Sequence, residues 1–175
     1  MSHSSPNLKP VALIVGIAVV AVVAYLSLHH KPSTRTADAG VAGAASAAMR
    51  FTAKDALKTV VGKIDYEHGA VSSHGVAGVL VFGPYQKVAA GNYSVSWIGS
   101  VDSDSAPRFE ATSMKSGVMA YAVPALHKSP SGSTLHTLSL RIAQPVDDAE
   151  FRVLVSGSDA VGIEAVELKP LAPVP

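Results

Sequence analysis

Alternation at period two is the feature that most constrains this chain. Gly91 to Ile98 reads GNYSVSWI, with Tyr93, Val95 and Trp97 on one face and Ser94 and Ser96 on the other. That spacing fits a half-buried strand and not a helix. Thr137–Ile142 and Phe151–Val155 alternate likewise, the latter with Phe151, Val153 and Val155 inward. Val79–Phe82, Phe109–Met114, Val118–Val123 and Ile163–Leu168 are further strand candidates. Turn-forming stretches separate them at Gly83-Pro84, Ala90-Gly91, Ser103–Pro107, Ser129–Ser133, Gln144-Pro145 and Gly157–Asp159. About eight short antiparallel strands with such spacing predict an all-β sandwich over residues 57–171. The Pro-rich end from Lys169 is not expected to extend a central strand, and 172–175 form a short tail.

A second constraint precedes the strands. Val11 to Leu28 is an 18-residue run without a charge. At ~1.5 Å per residue it spans about 27 Å, close to the ~30 Å hydrocarbon core of a bilayer. It lacks the polar stripe of a soluble helix. It also exceeds the usual ~7–15 residues of a secretory signal core, and no small-residue cleavage tract follows closely. A single transmembrane helix over 11–28 is therefore expected, after a short tail at 1–10. Positive charges flank the run almost evenly, at Lys9 on one side and Lys31 and Arg35 on the other. The expected placement is the cell membrane, single-pass, with the C-terminal domain on the outer (periplasmic or extracellular) side.

Residues 29–56 are rich in Ala, Gly and Ser and read as a flexible linker. Towards their end Ala45, Met49, Ala53, Ala56 and Val60 recur at helical spacing, which predicts a short helix closed by Gly62.

Several function classes drop out on composition. Net charge is +1, so there is no basic footprint for nucleic acid. Cysteine is absent, which removes disulfides, thiolate metal sites and thiol catalysis. His68, His74, His127 and His136 follow no metal-binding helical pattern. Asp102/Asp104 and Asp147/Asp148 each supply too few oxygens for calcium alone and read as polar turns. No nucleophile elbow or phosphate loop is present, so neither an enzyme nor a cofactor is expected.

The stretch Gly78-Val79-Leu80-Val81-Phe82-Gly83-Pro84-Tyr85, continuing through Ala90-Gly91-Asn92-Tyr93-Ser94-Val95, has a recognisable shape. It is a strand, Gly-Pro-Tyr, a short apolar strand, then Ala-Gly-x-Tyr-x-Val. With the closing segments Ala149–Val155 and Gly162–Leu168, it resembles the jelly-roll modules grouped with carbohydrate-binding domains and the galactose-binding-like fold. Such modules often accompany bacterial surface-polysaccharide proteins. The resemblance implies a jelly-roll β-sandwich and a non-catalytic role.

Candidate ligand-binding residues follow from strand parity. Arg108, Glu110, Arg141, Arg152 and Glu164 fall on outward positions, where planar guanidiniums and carboxylates can meet sugar hydroxyls. Tyr121 is outward between Ala120 and Ala122. Trp97 shares the parity of Tyr93 and Val95 and is expected in the core. The function expected is an anchored, exported module binding glycan or a cell-envelope polymer, with the three arginines favouring an anionic one. The alternative is an accessory protein docking onto a larger envelope complex.

Overall fold

The computed structural model describes residues 47–172. The expected membrane span at 11–28, most of the linker and the last three residues lie outside the described residues. Among the described residues there is no helix, and none therefore long and apolar enough to cross a membrane.

Eleven strands form two antiparallel sheets. They are β1 (Met49–Thr52), β2 (Lys63–Asp65), β3 (Ala70–Ser72), β4 (Gly78–Val81), β5 (Pro84–Val88), β6 (Gly91–Val101), β7 (Arg108–Ser113), β8 (Gly117–Ala122), β9 (Ser129–Ile142), β10 (Val146–Val155) and β11 (Val161–Pro170). The six-stranded sheet runs β2-β3-β11-β6-β9, with β1 also on β11. The five-stranded sheet runs β4-β10-β7-β8, with β5 also on β10.

The inward residues of both sheets fill one core. Trp97, Phe109, Phe151, Val95 and Val153 are fully buried. Trp97 of one sheet meets Phe109 of the other at 5.1 Å between centroids. Phe51 and Phe151 stack across the same gap at 6.1 Å. Trp97 is thus a core residue, as its parity requires. Its indole nitrogen is buried without a hydrogen-bond partner. Tyr93 brings its own solution: its hydroxyl donates to the Ala89 carbonyl at 3.0 Å.

Three expectations need correction. The helical spacing near residue 49 does not yield a helix. Met49–Thr52 is β1, paired with Thr52 opposite Ala165 and Met49 opposite Leu168. Burial of Phe51 against Phe151 outweighs the propensity of an alanine-rich segment, so the sandwich begins before residue 57. The stretch Ser129–Ser133 is not a plain turn but the irregular start of β9. Pairing passes from Gly99↔Ser133 to Val101↔Ser129, so β9 carries extra residues there. Finally, Lys169 and Pro170 do complete β11, opposite Ser94 and Tyr93.

A second irregularity lies beside the first. Ile163 pairs with Gly99 and Ala165 with Ile98, leaving Glu164 as a bulge in β11. The strands approach so closely there that a Cβ on Gly99 would meet the Gly162 carbonyl oxygen at 1.9 Å. Only glycine fits that position.

Candidate functional site

The outer face of the five-stranded sheet gathers four of the six candidate residues. Tyr121 on β8 faces Glu110 on β7, and Glu110 faces Arg152 on β10. Arg108, two residues before Glu110, points to the same face. Its guanidinium carbon lies 4.3 Å from the Tyr121 ring centre. Its Nε stands 2.6 Å from Glu110 Oε1, close enough for an ion pair but without hydrogen-bond alignment.

The same face holds two residues that the outward-parity set lacked. Glu150, two before Arg152 on β10, accepts from Arg152 Nη2 at 2.5 Å. Its hydrogen bond holds the Arg152 guanidinium more firmly protonated than usual. Tyr85 on β5 is the second. Burial first, then the adjacent Glu150 carboxylate, raises its hydroxyl above the ordinary value. Phe82 packs edge-on to the Tyr85 ring at 6.5 Å, and Lys58 Nζ stands 5.8 Å from its centre.

Burial is uneven across this face. Glu110 and Glu150 are almost wholly covered, at 5% and 2% exposed, although their parity is outward. Tyr85 and Tyr121 are 42% and 60% exposed. Long neighbours therefore cover the carboxylates while the aromatic rings stay open. Two guanidiniums are balanced by two carboxylates, so the charge between the rings cancels. That balance removes the reason to expect an anionic ligand here.

Arg141 and Glu164 lie on the other sheet. Arg141 is on β9 opposite Asn92, exposed to solvent. Strand parity separates inside from outside but does not say which of two sheets a strand joins, and these two lie on a different sheet from the other four. Glu164 lines a groove of about 610 Å³ with Asp65, His68, Asp102, Lys128 and Ser129. One of its oxygens already accepts from Ser131 Oγ at 2.7 Å and from Gly132 N at 3.0 Å, tying down the irregular start of β9. In the groove the His68 imidazole sits 2.8 Å from Asp65, and that contact raises the histidine pKa while lowering the aspartate's. No Phe, Tyr or Trp side chain lines this groove.

The remaining polar clusters are local. Asp104 meets His127 at 3.0 Å, Asp147 meets Lys87 at 3.5 Å, and Asp148 accepts from the Met114 backbone N–H. Among the described residues no group of three or more His, Asp or Glu side chains could hold a metal ion.

Among solved structures the chain is similar to a CBM35 from Paenibacillus barcinonensis, with a TM-score of 0.51 and 9% identity, over 70% of this chain and 99% of that one. It is also similar to a family two carbohydrate esterase from Cellvibrio japonicus, with a TM-score of 0.46 and 14% identity over 73% of this chain. A third is the GH26-CBM35 β-(1,4)-mannanase of Podospora anserina, with a TM-score of 0.45 and 15% identity over 74% of this chain. The match spans 36% of the esterase and 29% of the mannanase. No protein-family model matches the chain, and no curated protein matches it. The jelly-roll β-sandwich expected from the Gly-Pro-Tyr and Ala-Gly-x-Tyr segments is the fold this chain shares with that CBM35.

Proposed function

We propose that this chain is a non-catalytic glycan-binding module, held at the membrane by residues 11–28 with the sandwich on the outer side. The observation that carries the reading is the pair of open rings, Tyr85 and Tyr121, on one sheet face with charge-balanced arginines between them. A tyrosine ring offers apolar area to the C–H face of a pyranose. Arg108 and Arg152 supply planar donors to neighbouring sugar hydroxyls. Their buried carboxylate partners act as positioning residues, fixing each guanidinium before a ligand arrives. The fold shared with that CBM35 supports this role.

The test is a glycan-array screen of the full chain in detergent, beside the Tyr85→Ala/Tyr121→Ala double variant. The reading expects glycan capture by the native chain and its loss in the variant, with the variant still folded by circular dichroism. Absence of capture by the native chain counts against it.

A second reading has its own observation. β8 is an edge strand without a charge, and Met114, Val118 and Val123 around it are 86%, 48% and 55% exposed. An open apolar edge suits strand addition by a protein partner. Failure of the glycan screen with recovery of a stable envelope complex would favour this accessory role.

A further inference from the structure

Tyr85 and Tyr121 stand at opposite margins of the five-stranded sheet. Tyr85 is on β5, Tyr121 on β8, and β10 and β7 lie between them. Three strand spacings of ~4.8 Å separate the two chains by about 14 Å. No single pyranose reaches from one ring to the other.

Each ring is held before any ligand binds. The Arg108 guanidinium backs Tyr121 at 4.3 Å, and Tyr121 is 60% exposed. Phe82 and Lys58 flank Tyr85. Tyr85 also has a backbone φ of 65°, the left-handed region. For a bulky residue that conformation is strained, because it brings Cβ close to the following carbonyl oxygen. Such strain clusters at ligand-binding positions, and Tyr85 is 42% exposed.

Between the rings the surface is polar but neutral. Arg108 with Glu110 and Arg152 with Glu150 make two adjacent pairs on β7 and β10. The guanidiniums are part-exposed, with 41% and 37% of their side chains accessible, while both carboxylates lie beneath. The floor therefore offers N–H donors to hydroxyl groups and no net charge to an anion.

We infer that the ligand is an uncharged, linear oligosaccharide that lies across the strands, stacked on Tyr85 at one end and on Tyr121 at the other. The inference rests on the glycan-binding reading. It adds three things: a minimum length above one sugar, a direction across β5-β10-β7-β8, and discrimination against uronic-acid polymers.

The experiment is calorimetric titration of the full chain in detergent with size series of β-1,4-linked glucose, mannose and xylose oligomers, from the monosaccharide to the hexasaccharide. An oligogalacturonate series is the charged counterpart. At least one neutral series should gain affinity on the order of tenfold or more on lengthening past the disaccharide, since the second stacking contact then forms. Added salt should leave that affinity unchanged. Tyr85→Ala and Tyr121→Ala should each flatten the length dependence, and Tyr121→Phe, which keeps the ring, should retain it. Equal affinity for monosaccharide and hexasaccharide, or loss confined to one tyrosine, overturns the two-ended site while leaving glycan binding standing. Salt-sensitive preference for oligogalacturonate overturns the neutral assignment alone. Absence of binding in every series, with the fold intact, overturns both this inference and the glycan-binding reading.

Discussion

The Arg108 guanidinium carbon sits 4.3 Å from the centre of the Tyr121 ring, so the cation paired with Glu110 also backs the aromatic surface. Arg108→Ala removes both contacts. A part-exposed cation–π contact is worth ~0.5–1 kcal/mol, and leaving a covered carboxylate short of a partner adds to that. The expected loss is about 2 kcal/mol by urea denaturation, between those two limits. Adding Glu110→Gln should recover part of it by removing the charge left behind. A double variant no more stable than Arg108→Ala would show that the pair is not what holds this corner.

Trp97 carries the core. Its ring is fully buried against Phe109, so Trp97→Ala should cost roughly 3–5 kcal/mol. Its indole N–H has no partner, and such an orphan donor costs ~1–3 kcal/mol. Trp97→Phe leaves a smaller cavity and removes that donor, so it should be much the milder change. Equal losses from the two substitutions in thermal denaturation would show that a ring packed against Phe109 contributes nothing at this position.

How far the sequence reaches is clear from particular strands. The alternating residues of β6, β9 and β10 identify their strands and their inward faces, because one buried face imposes period two. β1, β2 and β3 are three or four residues long and depend on their partners for definition, so no local pattern marks them. The bulges at Glu164 and at the start of β9 shift parity midway, which local alternation cannot foresee. Of the candidate site, Arg108, Glu110, Tyr121 and Arg152 come together, whereas Arg141 and Glu164 belong to the other sheet. Glu150 was within reach, since it lies two residues before Arg152 on one strand and so shares its face. Tyr85, following Gly-Pro at a strand edge, reads as a freer ring in the sequence, but its place on this face depends on a left-handed backbone that no local pattern marks.

Stability should respond to acid through His136. Its ring stacks on Phe109 at 5.5 Å, and burial lowers its pKa below the ordinary value. The unfolded chain then takes up that proton at higher pH than the folded one. The contribution is intact above the unfolded value of ~6.5 and is lost as pH falls through the folded value. His68 works in the opposite sense, since the neighbouring Asp65 raises its pKa. His136→Gln should therefore be less acid-sensitive than the native chain when melting temperatures are compared on either side of that pH. A steeper acid loss in the variant would contradict this.

Asp159 fastens the turn between β10 and β11 to the loop before β7. Its carboxylate accepts from Ala106 N at 2.8 Å, Ser156 N at 2.6 Å and Ser156 Oγ at 2.9 Å. It is 7% exposed. Asp159→Ala leaves two backbone donors unpaired, and at ~1–3 kcal/mol for each the expected loss is about 2–4 kcal/mol in chemical denaturation. Asp159→Asn keeps acceptor capacity and should cost less. Near-native stability of the alanine variant would mean that water replaces the carboxylate without penalty.

The account's central claim is that the outer face of the five-stranded sheet is where a glycan binds. Chemical-shift mapping of the detergent-solubilised full chain, titrated with whichever neutral oligosaccharide the length series selects, tests it most directly. The account predicts shifts concentrated at Tyr85, Arg108, Tyr121 and Arg152, with Arg141, Glu164 and the groove around Asp65 and His68 unmoved. Shifts centred on Glu164 and that groove, with the two tyrosines silent, would contradict it.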